Sequence, residues 1–184
     1  MTKFPLIRSL AVCAAFSLTS LSLLGADQKG EDKVLFDPTD EAQVAAIVQE
    51  KAESAIVDAG GVKVLQGTFP TGLDYPTLAI ISPSGEWDLS GKEGVEVEVT
   101  NKSNVTLSVA MRVDNAGDWQ TSPWSTEAVQ VDAGDTKTLQ VKFGFSNGGQ
   151  PSFALDPAHI TAIKLFVVKP AEDAKVEFKD LKPF

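Results

Sequence analysis

The stretch "GVEVEVTNKSNVTLSVAMRVDN" runs from Gly94 to Asn115 and decides how the rest of the chain is read. In its first half Val95, Val97 and Val99 alternate with Glu96, Glu98 and Thr100. In its second half Leu107, Val109, Met111 and Val113 alternate with Ser108, Ala110, Arg112 and Asp114. A period of two is the signature of strands with one face in a core and the other toward water. The intervening "NKSN", Asn101 to Asn104, reads as a tight turn.

The same grammar extends both ways. "TLAIIS" from Thr77 reads as a strand with Leu78 and Ile80 inward, and Ile81 a further inward candidate; "PSGEWDLSG" follows as a turn-rich connection in which Trp87 packs on the core. "AVQVDAGDTKTLQVKFGF" supplies two strands around Ala133-Gly134-Asp135, and "ITAIKLFVVK" and "KVEFKDLKPF" supply the last two. "SAIVDAGGVKVLQGTF" is best read as a hairpin turning at Gly60-Gly61, with a helix continued to Ala59 as the competing reading. "TDEAQVAAIVQEKAE" carries the one helical signal: Asp40 as cap, Gln43 reaching back to it, Val44, Ile47 and Val48 as a stripe, and an end by Lys51 to Glu53. Many short strands at regular spacing predict an all-β, two-sheet sandwich with one short N-terminal helix.

The N-terminus is read separately. Lys3 and Arg8 precede an apolar stretch from Leu10 to Leu24, with Gly25-Ala26 behind it, the plan of a secretory signal peptide over residues 1–26. The stretch holds several hydroxyl residues and is short for a membrane span. Lipidation at Cys13 is disfavoured, because Cys13 lies inside the apolar run and follows Val12. Cleavage would remove the only cysteine. Residues 27–33 read as a flexible N-terminus and 34–184 as one β-sandwich domain, long enough to stand on its own core without disulfides. The expected destination is secreted or periplasmic.

The formal charge is −9. It argues against nucleic acid and anionic membrane surfaces as partners. A single histidine, His159, excludes a histidine-based metal cluster. "GFSNG", Gly144 to Gly148, fits Gly-x-Ser-x-Gly by letter, with Asp156 and His159 downstream. The nucleophile elbow needs a strand-to-helix turn, whereas Gly149-Gln150-Pro151 reads as loop, so no catalytic residue is assigned. Glu96 and Glu98 share one strand face and lack the opposed geometry of a glycosidase pair. Asn101 and Asn104 fit glycosylation sequons, but turn chemistry explains both.

What remains is "RVDNAGDWQTSPWS", Arg112 to Ser125. Strand parity puts Arg112 and Asp114 on the outward face. They form either a structural ion pair or a clamp for sugar hydroxyls, the guanidinium fork donating and the carboxylate accepting. Trp119 and Trp124 follow in what reads as a loop, one of them expected to plug the sandwich and Trp124, beside Pro123, to be the exposed one. Arg112, Asp114, Asn115, Trp119, Gln120 and Trp124 make the candidate contact set.

Four phrases taken together, "GGVKVLQGTFPTGLDYPTLAI", "WDLSGKEGVEVEVTNKSNVTLSVAMRVDN", "VDAGDTKTLQVKF" and "ITAIKLFVVKPAEDAKVEFKDLKPF", resemble the galactose-binding-like jelly-roll modules attached to bacterial agarases and other glycoside hydrolases. The resemblance spans roughly Val34 to Phe184 and rests on motif order more than on any one motif. It implies a β-sandwich jelly roll, carbohydrate binding on one sheet or at the loop rim, and in some members a structural calcium; from the residues alone, Asp37 and Asp180 could offer oxygen ligands to calcium if the termini pair. It matches Arg112, Asp114 and Asn115 to the family's R-x-D-N strand end and Trp87 to Ser90 to its structural entry strand. The partner expected is a polysaccharide or oligosaccharide, with a separate glycoside hydrolase or an envelope protein as a further partner. The rival reading is a structural or protein-interaction sandwich of the cell envelope without sugar binding. A hydrolase or lyase, the latter through the sole tyrosine, Tyr75, is the third.

Overall fold

The structure, a computed structural model, describes residues 34–118, 120 and 123–184. The signal-peptide segment 1–26 and the N-terminal stretch 27–33 lie outside the described residues, as does Trp119. In chain order the elements are α1 (Glu41–Ala45), β1 (Val48–Glu50), β2 (Glu53–Ala59), β3 (Val62–Phe69), β4 (Thr77–Ile81), β5 (Gly94–Asn101), β6 (Leu107–Asn115), β7 (Trp124–Val131), β8 (Thr136–Lys142), β9 (Phe145–Ser146), β10 (Gln150–Pro151), a 3-10 turn (Pro157–His159), β11 (Ile160–Val167) and β12 (Ala174–Pro183).

The strands form two sheets, one ordered β1-β4-β11-β6-β7-β9-β10 and the other β2-β3-β12-β5-β8. All pairings are antiparallel except β7 with β9. The expected all-β sandwich is what the chain adopts. Val95, Val97 and Val99 from one sheet and Val109, Met111 and Val113 from the other are all fully buried, so the alternation of the opening stretch is two inner faces meeting across one core.

That corrects one local expectation. Asn101 to Asn104 is no hairpin turn, because β5 pairs with β12 and β8 while β6 pairs with β11 and β7. The chain crosses from one sheet to the other there. The crossing is tied by Asn101, which is buried and donates through Nδ2 to the carbonyls of Val105 (2.7 Å) and Val131 (2.9 Å) while Oδ1 accepts from the Ser103 N–H (2.8 Å). Turn chemistry thus accounts for this asparagine.

The helix is shorter than its stripe predicts. Asp40 caps it, accepting from the N–H groups of Ala42 and Gln43, and Gln43 Nε2 donates back to Asp40 at 2.8 Å. After Ala45 the β-branched run leaves the helix and Val48–Glu50 pairs as an edge strand with β4. The Gly60-Gly61 hairpin forms as read: both glycines have positive φ (69° and 90°), as a two-residue primed turn requires. Trp87 is half-buried against the core and bridges to Ile160. Ile81, in contrast, is exposed.

Candidate functional site

The outer face of the larger sheet follows from register alone. Asp114 stands opposite Trp124, Arg112 opposite Thr126 and Ala110 opposite Ala128 across β6 and β7; Arg112 also stands opposite Lys164, and Ala110 opposite Phe166, across β6 and β11. Thr77, Ala79 and Glu50 continue the face through β4 and β1. The floor is therefore low, made of Ala79, Ala110, Ala162 and Thr77, with longer side chains rising around it.

Arg112 and Asp114 sit at its centre. Nε and Nη2 of Arg112 donate to the two carboxylate oxygens of Asp114, each at 2.7 Å, a bidentate pair held along one strand. Both side chains are mostly covered, at 18% and 13% exposure. Arg112 lies over the Trp124 ring, 5.7 Å from its centroid, and Trp124 meets Phe153 edge-on at 5.2 Å. Lys164 reaches Glu50 (3.6 Å) and Asp114 (3.9 Å). At the far end Tyr75, 57% exposed, meets Phe166 edge-on at 6.0 Å.

The expected parity of β6 holds, and Arg112, Asp114 and Trp124 come together. Trp124 differs from expectation in one respect: it opens β7 and is half-buried, where a loop position was read. Strand pairing with Asp114 extends β7 back over that residue. Asn115 is engaged with the protein itself. Its Nδ2 donates to the carbonyls of Asp156 (2.9 Å) and His159 (2.6 Å), and its Oδ1 accepts from the Asp156 N–H (2.8 Å). It clamps the turn before β11 onto the end of β6. Gln120 is exposed in the connecting loop, its N–H donating to the Asp118 carboxylate.

Glu50, Tyr75, Phe153, Lys164 and Phe166 enter the face without having been singled out for it. Lys164 and Phe166 alternate with buried Ile163, Leu165 and Val167, so their outward parity was readable; that β11 lies beside β6 was not.

The loop that carries Phe153 is fastened to β7 by hydroxyls and one carboxylate. Ser125 Oγ accepts from the Gly144 N–H (2.9 Å), and Ser146 Oγ accepts from the Thr126 N–H (3.0 Å). Glu127 accepts from the N–H groups of Gly148 (2.7 and 2.9 Å) and Gly149 (3.0 Å). Positive φ at Asn147, Gly148 and Gly149 turns those successive amides toward the carboxylate. Ser146 is thus a buried fastening in this loop, while His159 Nδ1 pairs with Glu86 at 2.7 Å and Asp156 caps the 3-10 turn. No Ser–His relay runs through "GFSNG".

Asp37 and Asp180 do line one cavity of about 290 Å³, where the Leu35 N–H donates to the Leu181 carbonyl. Asp37 Oδ1 accepts from both the N–H and Oγ1 of Thr39, and Asp180 pairs with Lys179 at 3.4 Å. Calcium takes roughly six to eight oxygens. Among the described residues no group of three or more His, Cys, Asp or Glu is arranged to hold a metal ion, and two carboxylates each engaged with its own neighbour fall short of that oxygen count. No helix among the described residues is long and apolar enough to cross a membrane.

No family model matches the chain, and no curated protein matches it. Solved structures do. The agarase AgWH50C aligns with TM-score 0.65 at 13% identity over 83% of this chain, and an exo-β-agarase with TM-score 0.62 at 16% identity over 75%. This chain spans about a quarter of the length of either (24% and 23%). CtCBM11, studied in solution for its binding, aligns with TM-score 0.59 at 14% identity, covering 86% of this chain and 98% of its own. The family 11 carbohydrate-binding module from Clostridium thermocellum, in complex with a β-1,3-1,4-mixed-linked tetrasaccharide, aligns with TM-score 0.53 at 15% identity, over 75% of this chain and 86% of its own. The chain has the two-sheet jelly-roll fold of carbohydrate-binding modules and of the corresponding agarase domains.

Proposed function

We propose that this protein is a secreted, non-catalytic carbohydrate-binding protein that recognises a polysaccharide or oligosaccharide on the outer face of its larger sheet. The observation that carries this reading is the bidentate Arg112–Asp114 pair, with the Arg112 guanidinium over the Trp124 ring. A guanidinium locked in plane by a carboxylate sets donors and acceptors side by side, as neighbouring hydroxyls on a sugar ring require. The indole beside it supplies a flat apolar surface for the sugar's C–H face. Trp119 and Gln120, which fall between β6 and β7 in the sequence, are proposed as rim contacts, and Asn115 as the clamp that holds this end of the face in shape. Likeness to carbohydrate-binding modules supports the same assignment through fold alone.

Affinity electrophoresis in gels containing agarose, xylan or mixed-linkage β-glucan tests it. The wild-type protein is expected to be retarded in at least one, and Trp124→Ala to run there as in a plain gel. Equal mobility of both proteins in every gel would sink the reading.

A further inference from the structure

Resting on that reading, we infer that the ligand is an uncharged glycan chain, laid obliquely across the sheet from the Trp124–Phe153 pair to a second aromatic contact at Tyr75–Phe166. The two pairs lie on one face. Phe166 is level with Ala110 on β6, and Trp124 is level with Asp114, four residues further along and two strands across from β11. At about 3.4 Å per residue and about 4.8 Å per strand, the two backbone positions are about 17 Å apart. One sugar ring does not cover that distance; an oligosaccharide does.

The ground between them is shaped for such a chain. Arg112 stands midway along that line on β6, and Ala110 and Ala162 keep the ground low on either side of it, so a chain can lie along the sheet and meet the central pair from above. Tyr75 is the most exposed of the described aromatic rings on this face, and stacking on Phe166 fixes its edge. A solvated polar face has no use for a ring held this way.

The charges of the face set the chemistry of the chain. Its cations are Arg112 and Lys164, its carboxylates Asp114 and Glu50, and each cation is already within ion-pair distance of a carboxylate. A uronate or a sulfate ester would have to displace one of these carboxylates or sit beside it, in a protein whose net charge is −9. Neutral hydroxyls face no such opposition, and the guanidinium keeps about three of its five N–H donors outside the pair for them.

Titration calorimetry with a ladder of neutral oligosaccharides, from disaccharide to hexasaccharide of whichever glycan retards the protein, reads the chain-length requirement. Affinity is expected to rise along the ladder, and Tyr75→Ala to shrink that rise about tenfold, the worth of one stacked ring; Tyr75→Phe should keep it. Polygalacturonate and alginate in the gel should leave mobility unchanged. A wild-type affinity that is flat with length, a full rise retained in Tyr75→Ala, or retardation by either acidic polymer overturns the inference while leaving glycan binding standing. Failure to bind any neutral glycan takes down both.

Discussion

The two outer faces of this sandwich start from the same alternation and end differently. On the smaller sheet, outward positions of β12, β5 and β8 carry lysine, glutamate, threonine and glutamine, and they pair across strands: Lys182 with Glu96 (3.4 Å), Lys179 with Glu98 (3.8 Å), Gln140 Nε2 with Glu96 (2.7 Å), Thr100 with Thr136 (2.8 Å). That is a ladder of partners spread evenly over an exposed surface, each contributing little. On the larger sheet the charges gather at one spot, the ground around them is alanine, and rings stand at both ends. Polarity therefore does not distinguish the proposed site. Concentration of paired charge between raised aromatics does.

The contrast is tested most directly by removing one cation from each face. Arg112→Ala strips the fork and leaves the mostly covered Asp114 carboxylate facing Lys164 at 3.9 Å. Urea unfolding should show a loss of about 2 kcal/mol, the scale of a hydrogen-bonded charge, and retardation by the glycan should disappear. Lys182→Ala, on the opposite face, should cost under about 1 kcal/mol and leave retardation intact. Retained binding in the first variant, or lost binding in the second, would invert the assignment of the two faces.

Much of this was legible beforehand. Parity put Arg112 and Asp114 outward because every second residue from Leu107 to Val113 is aliphatic, and a one-residue slip would bury both charges. Asp40 and Gln43 announced their cap, and Gly60-Gly61 its turn, since both are local chemistry. Strand neighbourhood is not local. Nothing near Lys164 or Phe166 says that β11 inserts between β4 and β6, so half of the face stayed hidden. Glu50 was missed because a period-3.6 stripe ran through Ile47 and Val48, and edge pairing with β4 outweighed it. The Asn101 crossing was misread for a related reason: an asparagine-rich turn looks alike whether it joins neighbours in one sheet or spans two.

A smaller effect is expected at the rim. Glu127 is the carboxylate that gathers the Gly148 and Gly149 amides and so holds the loop bearing Phe153 beside Trp124. Glu127→Ala should speed hydrogen exchange at those two amides by tenfold or more, from loss of a charge-assisted bond worth about 1.5–3 kcal/mol. Glycan affinity should drop less than in Arg112→Ala. Glu127→Gln, which keeps a carbonyl acceptor, should fall between. Exchange that is unchanged in the alanine variant would mean that the serine fastenings alone hold the loop.

The smallest effect belongs to His159, beyond the clamp formed by Asn115. Its pKa is raised above 6.5 by the hydrogen bond to Glu86, then by the charge of Glu86, with Asp156 and Asp88 adding to it against some desolvation. A raised pKa in the folded state means that folding favours the protonated ring. The contribution is therefore complete below the unfolded value and is lost as pH rises through the folded one. The Tm difference between the wild type and His159→Gln should be largest near about pH 5 and vanish toward about pH 9. A difference that grows with pH would mean that the neutral ring is the one the fold prefers, with Glu86 no longer its partner.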